Sequence, residues 1–353
     1  MRAVRFHGPK DIRVDSVPEP ACGNDQVKLR PAFVGICGTD LHEYLAGPIL
    51  TPTKPHPLTN ESNPVTLGHE FSGTVTEVGH SVVNFKPGDM VVVLPIIYDG
   101  SCDACARGYI NCCENLGAFG FTGWGGGLSD SIVVPQSHVY RLPRHIPLEI
   151  GALIEPLSVA WHAVKSSPFK TGDSVLVLGG GPIGIGILQV LKALNAGRVI
   201  VSEISTRRNK LSVKFGADHV IDPREEDVAS RCYELCDRHG VDIVFDTAGM
   251  QAALDSAFSA LRTGGTVVNI ASWRTAPTVN IMDMIMGEKK YMAAMTYVKK
   301  DFEEVLDAVD KGLLQPGQMI TSQIELGEVV EKGFKELIDR KDEHLKILVK
   351  VAD

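Results

Sequence analysis

Of the eight cysteines in this 353-residue chain, four fall inside YDGSCDACARGYINCC, residues 98–113. Asp99, Cys102, Cys105 and Cys113 follow one another in steps of three, three and eight. That spacing lets a compact lobe present several ligands around one point, as tetrahedral zinc requires. Thiolates are soft, fully charged ligands, and a carboxylate oxygen can take the fourth place. The same residues also read as an ordinary turn at YDGS with a metal-free cysteine lobe behind it; Cys112 is spare in either case. A second set is scattered: Cys37 in GICGTDLHEY, His69 and Glu70 in TLGHEFSG, and Glu155 in GALIEPLSVAWHAV. Cys37, His69 and a carboxylate from Glu155 or Glu70 would give zinc three protein ligands and one open position, the usual arrangement of a catalytic site.

A third signal is Gly179, Gly181 and Gly184, a GxGxxG placed directly after the apolar run SVLVL and opening a helical pattern. The first glycine permits the turn, the second lets a pyrophosphate approach the backbone, and the helix N-terminus supplies donors and positive dipole. Glu203 ends the next apolar strand, where a carboxylate can accept hydrogen bonds from ribose hydroxyls and repel a 2′-phosphate, which favours NAD over NADP. Arg207 and Arg208 follow closely enough to reach a ribose or a phosphate.

These residues need elements to hold them. Up to about residue 150 the chain shows short alternating strands broken by Gly and Pro, such as VKLRPAFVGICG, EFSGTVTEVG and DMVVVLPI. Beyond it, the buried strands DSVLVLGG, RVIVSE, VDIVFDTAG and GTVVNIAS alternate with the helical stretches IGILQVLKALNA and MQAALDSAFSALRTGG, the pattern of a doubly wound α/β domain. The tail carries the amphipathic helices KDFEEVLDAVDKGLL and LGEVVEKGFKELIDRK and a closing strand, HLKILVKV. Net charge is −8, with 35 Lys and Arg against 43 Asp and Glu, and basic residues do not cluster, which argues against nucleic acid and anionic lipid as partners. The N-terminus lacks the form of a secretory signal, so a cytoplasmic setting with reduced thiols is expected. Residues Val175–Val190 are apolar enough to imitate a membrane span, but they are short for one and broken by glycines.

Taken together, GICGTDLH, TLGHEFSGTV, the cysteine lobe, the glutamate before a helix and GGGPIG followed by an acidic strand end resemble the zinc-dependent medium-chain alcohol and polyol dehydrogenases over essentially the whole chain. The resemblance implies an α/β architecture: a GroES-like catalytic domain over 1–156, completed by 296–353, and a Rossmann NAD-binding domain over 157–295. It implies catalytic zinc at Cys37 and His69, acting as a Lewis acid on the substrate oxygen, and structural zinc at the lobe, where Asp99 stands in place of the family's first cysteine. Glu155 falls where alcohol dehydrogenases place a second cysteine ligand. In the polyol branch Glu70 can ligate directly and the residue matching Glu155 can act through a water. Asp40 would orient His69. Thr39 and His42 match the family's proton relay, and backbone groups at Ile270 and Ala271 would hold the nicotinamide amide. A homodimer or homotetramer is implied as well. The insertion AGPILTPTKPHPLTNESNP looks like the 2,3-butanediol branch more than the sorbitol or xylitol branch, so a small vicinal diol or hydroxyketone is the expected substrate. A catalytically retired nucleotide-binding protein is the alternative of another class, and the retention of Cys37, His69, Glu155, Thr39 and His42 speaks against it. Cys22, Cys232 and Cys236 match no motif and read as packing residues.

Overall fold

The computed structural model describes residues 1–273 and 275–352. The chain divides into two compact units: Met1–Glu155 with Val298–Asp310 and Pro316–Asp353, and Pro156–Tyr297 with Lys311–Gln315. The short return of 311–315 to the second unit departs from the expected boundary. It is tied there by Gln189, whose Oε1 accepts from the Gln315 N–H at 3.1 Å.

The first unit is built on a sheet in which Val139–Arg141, Met90–Val93, Glu70–Val78, Gln26–Gly35, Lys346–Lys350 and Ile320–Glu325 lie side by side, with Ile132–Pro135 also paired to Gln26–Gly35. Residue alternation sends Val27, Leu29, Val34, Phe71, Val75, Val91, Ile347 and Val349 into one apolar core. Burying each such side chain stabilises the unit by about 1.5–3 kcal/mol. Two sequence-distant segments meet at Gly35, which is in register with both Glu70 and Leu348. A Cβ on Gly35 would stand 2.0 Å from Glu70 Oε2, so the position must be glycine for that carboxylate to lie inside the sheet.

The second unit is a sheet of parallel strands, six among the described residues, ordered His219–Ile221, Arg198–Ser202, Ser174–Leu178, Val241–Asp246, Leu261–Asn269 and Lys290–Ala293. The order reverses direction at Ser174–Leu178, and ligands bind at such switch points beyond the carboxyl ends of the strands. Its helices include Ile154–Ser166, whose first two residues group with the first unit, Pro182–Ala193 and Gln251–Ala260. Two readings of helix length are corrected. MQAALDSAFSALRTGG is helical only to Ala260, because Leu261 already begins the next strand. LGEVVEKGFKELIDRK is not one regular helix: it starts with a tight turn at Leu326–Glu328, widens over Val329–Lys335 and closes at Glu336–Asp339. Gly333 lies in the widened part, where an added Cβ would stand 2.5 Å from Ile36 Cδ1. Among the described residues no helix is long and apolar enough to cross a membrane.

Candidate metal and cofactor sites

Cys37 is the residue that starts the helix Gly38–Ala46, and its N–H donates to Asp40 Oδ2 at 2.8 Å. The Cys37 thiol lies 3.6 Å from Thr39 Oγ1, and His42 follows Thr39 by one turn on the same helix. His69 immediately precedes the strand Glu70–Val78 and follows Gly68, whose φ of +99° and 2.7 Å clearance between an added Cβ and the Leu128 nitrogen exclude other residues. Asp40 is fully buried, and its second oxygen, Oδ1, faces His69 Nδ1 at 3.7 Å.

Ligand atoms of Cys37, His69 and Glu70 all lie within 4.8 Å of one another. Glu155 lies in the first turn of its helix, and its charge acts on His69 and on Lys346. Burial works against a charged His69, but Asp40, Cys37 and Glu155 outweigh it and hold the ring at about 10. Sulfur, imidazole and carboxylate atoms gathered this closely are the donor types that zinc takes, and a zinc ion fits them.

Sequence reasoning missed Lys346. Its ammonium is buried and donates to Glu70 Oε1 and Oε2 at 2.8 and 2.6 Å and to the Ile36 carbonyl at 3.2 Å. Burial alone would lower its pKa, but Glu70 and Cys37 raise it, so the lysine is charged. A lysine within the alternating run HLKILVKV reads as solvent-facing; the one available signal was that a glutamate buried beside His69 needs a cation.

Asp99, Cys102, Cys105 and Cys113 likewise bring one ligand atom each within 4.8 Å of the others. All eight cysteines are free thiols. Asp99 makes the contacts of a turn residue and stands among the possible ligands as well. Its Oδ1 accepts from the N–H groups of Ser101 and Cys102 at 2.7 and 2.9 Å, as a turn residue does, and Oδ2 accepts from Asn115 Nδ2 at 2.9 Å. These bonds hold its pKa far below the ordinary carboxylate range. Cys113 Sγ accepts from the N–H groups of Asp99 and Asn115, each at 3.4 Å, and lies 3.9 Å from Cys102 Sγ. Donors aimed at a sulfur stabilise negative charge on it. Three cysteines and an ionised carboxylate, already gathered and oriented, suit structural zinc.

In the second unit Gly179 has φ +98°, and a Cβ on Gly184 would lie 1.9 Å from the Gly179 carbonyl oxygen. A Cβ on Gly181 would meet nothing nearer than Arg208 Nη1 at 4.0 Å, so a space that a side chain would fill is open before the helix Pro182–Ala193. A pyrophosphate fits that cradle. Glu203 is buried; Oε2 accepts from Gly180 N–H and Oε1 from Ser205 N–H, both at 2.8 Å, and Arg208 Nη1 stands 3.9 Å from Oε2. The carboxylate therefore also braces the glycine turn. The N–H groups of Ile270 and Ala271 are committed to the Asp246 carbonyl, at 3.0 and 3.2 Å, which shifts any nicotinamide contact there towards carbonyl oxygens.

A sulfur–imidazole–carboxylate group in a β-rich unit and a glycine cradle at the switch point of a parallel sheet define an oxidoreductase that pairs a metal with a dinucleotide. Family models agree: residues 23–144 match the alcohol dehydrogenase GroES-like domain and residues 182–311 the zinc-binding dehydrogenase domain. The chain belongs to the zinc-type alcohol dehydrogenases. It is 38% identical to the (R,R)-butanediol dehydrogenase of Bacillus subtilis, over 99% of both chains, and 39% identical to that of Saccharomyces cerevisiae, over 99% of this chain and 98% of the other. The crystal structure of 2R,3R-butanediol dehydrogenase from Bacillus subtilis superposes with a TM-score of 0.93, covering 99% of each chain.

Proposed function

We propose that this protein transfers hydride between NAD and a small vicinal diol or its hydroxyketone, with 2,3-butanediol and acetoin as the leading pair. The observation that carries the reading is full-length similarity to enzymes of that name, joined to a donor set of the matching kind. Cys37 and His69, with a carboxylate from Glu70 or Glu155, would hold the catalytic zinc. When bound, zinc supplies a Lewis acid that lowers the pKa of an alcohol towards neutrality.

The chain's own residues do the rest. Asp40 sets a buried carboxylate 3.7 Å from His69 Nδ1 and would orient the ring electrostatically. Thr39 and His42 offer a hydroxyl and an imidazole on one helix, and an imidazole whose ordinary pKa is ~6.5 can pass the alcohol proton to solvent. Gly179, Gly181 and Gly184 admit the pyrophosphate, Glu203 and Arg208 face the adenosine ribose, and Ile270 and Ala271 meet the nicotinamide amide. Asp99, Cys102, Cys105 and Cys113 would hold structural zinc. The free thiols suit a cytoplasmic protein, and the family resemblance supports a homo-oligomer.

The test compares kcat/KM for the 2,3-butanediol stereoisomers, 2-butanol, sorbitol and xylitol with saturating NAD. A site that hydrogen-bonds the second hydroxyl rejects an analogue lacking it far more strongly than the about 1–3 kcal/mol that one methylene is worth. 2,3-Butanediol should therefore lead 2-butanol clearly. A lead for sorbitol or xylitol moves the protein to polyol oxidation, and a lead for 2-butanol removes the role of the second hydroxyl.

A further inference from the structure

The insertion at 46–64, the part of the sequence that points to a small diol, has no task in the chemistry just described. It is fastened at both ends. Its first residues are held by Glu43, a fully buried carboxylate on the helix that starts at Cys37 and carries Thr39 and His42: the N–H groups of Ile49, Leu50 and Thr51 all donate to it, and Thr51 Oγ1 adds a further bond at 3.1 Å. Asn63 Nδ2 closes the base by donating to Thr51 Oγ1 at 3.1 Å.

The far end of the insertion grips a different segment. The buried Thr59 hydroxyl donates to the Thr122 carbonyl, Glu61 Oε1 accepts the Trp124 N–H at 2.9 Å, and His56 Nε2 lies 3.3 Å from the Leu116 carbonyl. Between two of these partners Gly123 has φ +123°, and a Cβ there would stand 2.8 Å from Thr59 Oγ1 and from Glu61 Cβ. Trp124 has φ +58°, a left-handed backbone that a bulky side chain keeps only where its surroundings impose it. The gripped segment in turn covers His69. Phe121 is buried with its ring centroid 4.6 Å from that of the imidazole, and Gly120 fits so closely on Gly68 that a Cβ would stand 2.5 Å from the Gly68 carbonyl. A ring lying on the imidazole sets how much room remains beside the donors, and packing this close transmits a displacement rather than absorbing it.

We propose that the insertion is a clamp that sets substrate size: tied to Glu43 at one end and to Thr122 and Trp124 at the other, it keeps Phe121 closed on His69, so that a short vicinal diol is accepted and a longer one rejected. This rests on the diol reading given above. Thr59 and Glu61 are positioning residues that act through Phe121.

The test pairs 2,3-butanediol with 3,4-hexanediol, the same vicinal diol lengthened by a methylene at each end, in the full-length zinc-loaded protein. Thr59→Val with Glu61→Ala should narrow the ratio of kcat/KM between the two by about tenfold, chiefly through KM, which is the discrimination a methylene in an apolar pocket provides at the least. Thr59→Ser keeps the hydroxyl and should keep the wild-type ratio. Phe121→Ala should narrow the ratio as much, and adding the other two substitutions to it should change nothing more, because all act through one ring. Amide exchange over residues 116–127, measured without substrate, should quicken in the Thr59→Val, Glu61→Ala variant and not in Thr59→Ser. Unchanged exchange overturns the clamp. Quickened exchange with an unchanged ratio overturns its role in substrate size, and full additivity with Phe121→Ala overturns the route through that ring. Should the double variant fail to fold, Glu61→Ala alone carries both measurements. A wild-type protein that prefers sorbitol to both diols overturns the diol reading instead, and the exchange result still decides the clamp.

Discussion

Asp40 joins two tasks: Oδ2 accepts the Cys37 N–H at 2.8 Å, and Oδ1 lies 3.7 Å from His69 Nδ1. Asparagine can keep the first contact but not the charge that serves the second. Asp40→Asn should lower zinc affinity at this site by about 10–100-fold. Chelator competition measures it, with NADH binding as the control that should not change. Unaltered affinity would remove Asp40 from the support of the metal.

The two roles of Asp99 can be separated. Asp99→Asn keeps an acceptor for the Ser101 and Cys102 N–H groups but loses the carboxylate, whereas Asp99→Ala loses both. If the side chain is a ligand, both variants should release lobe zinc more readily, and only alanine should also lower thermal stability before zinc is added. Equal zinc retention by asparagine and wild type would leave Asp99 as a turn residue alone.

NAD should be preferred over NADP, and Glu203→Ala should narrow the preference, because the repulsion of a 2′-phosphate goes and Arg208, 3.9 Å from the carboxylate, becomes available to it. The same change frees the N–H groups of Gly180 and Ser205, so kcat/KM with NAD should fall as well. Steady-state kinetics with both cofactors settles this. Equal efficiency in the unmodified protein would contradict the assignment.

Thiol labelling at pH 8 should follow burial. Cys112 is exposed and should react first. Cys232 is buried, and burial pushes its thiol up to about 12, so only roughly one molecule in ten thousand carries the reactive thiolate. As pH rises its rate should climb throughout the accessible range with no plateau. If the lobe holds zinc, Cys102, Cys105 and Cys113 should be shielded until a chelator is added, which a time course with a chromogenic disulfide reads directly.

What could be read from sequence was whatever is local. Gly179, Gly181 and Gly184 need only a strand before them and a helix after them, and Cys102 and Cys105 sit within one turn of chain. Cys37 and His69 are further apart, but each carries its own helix start or strand start. The contact between Glu70 and Lys346 spans 276 residues, and nothing in HLKILVKV distinguishes a lysine that enters the core from one that leaves it. Asn115 escaped for a milder reason: an asparagine after a cysteine lobe reads as a loop residue until the Asp99 carboxylate is seen against it. The overlong helix at MQAALDSAFSALRTGG arose because Leu261 fits the helical period as well as the strand that it begins.

The strand Lys346–Lys350 lies inside its sheet, between Gln26–Gly35 and Ile320–Glu325. On the ribosome, Cys37, His69 and Glu70 are made early, yet the strand that completes their sheet and brings the ammonium beside them is made about three hundred residues after the first of them. Until it inserts, Glu70 lacks the ammonium to which both of its oxygens are bonded, so a chain cut short before residue 346 would have to leave that carboxylate in water or bury it without its cation.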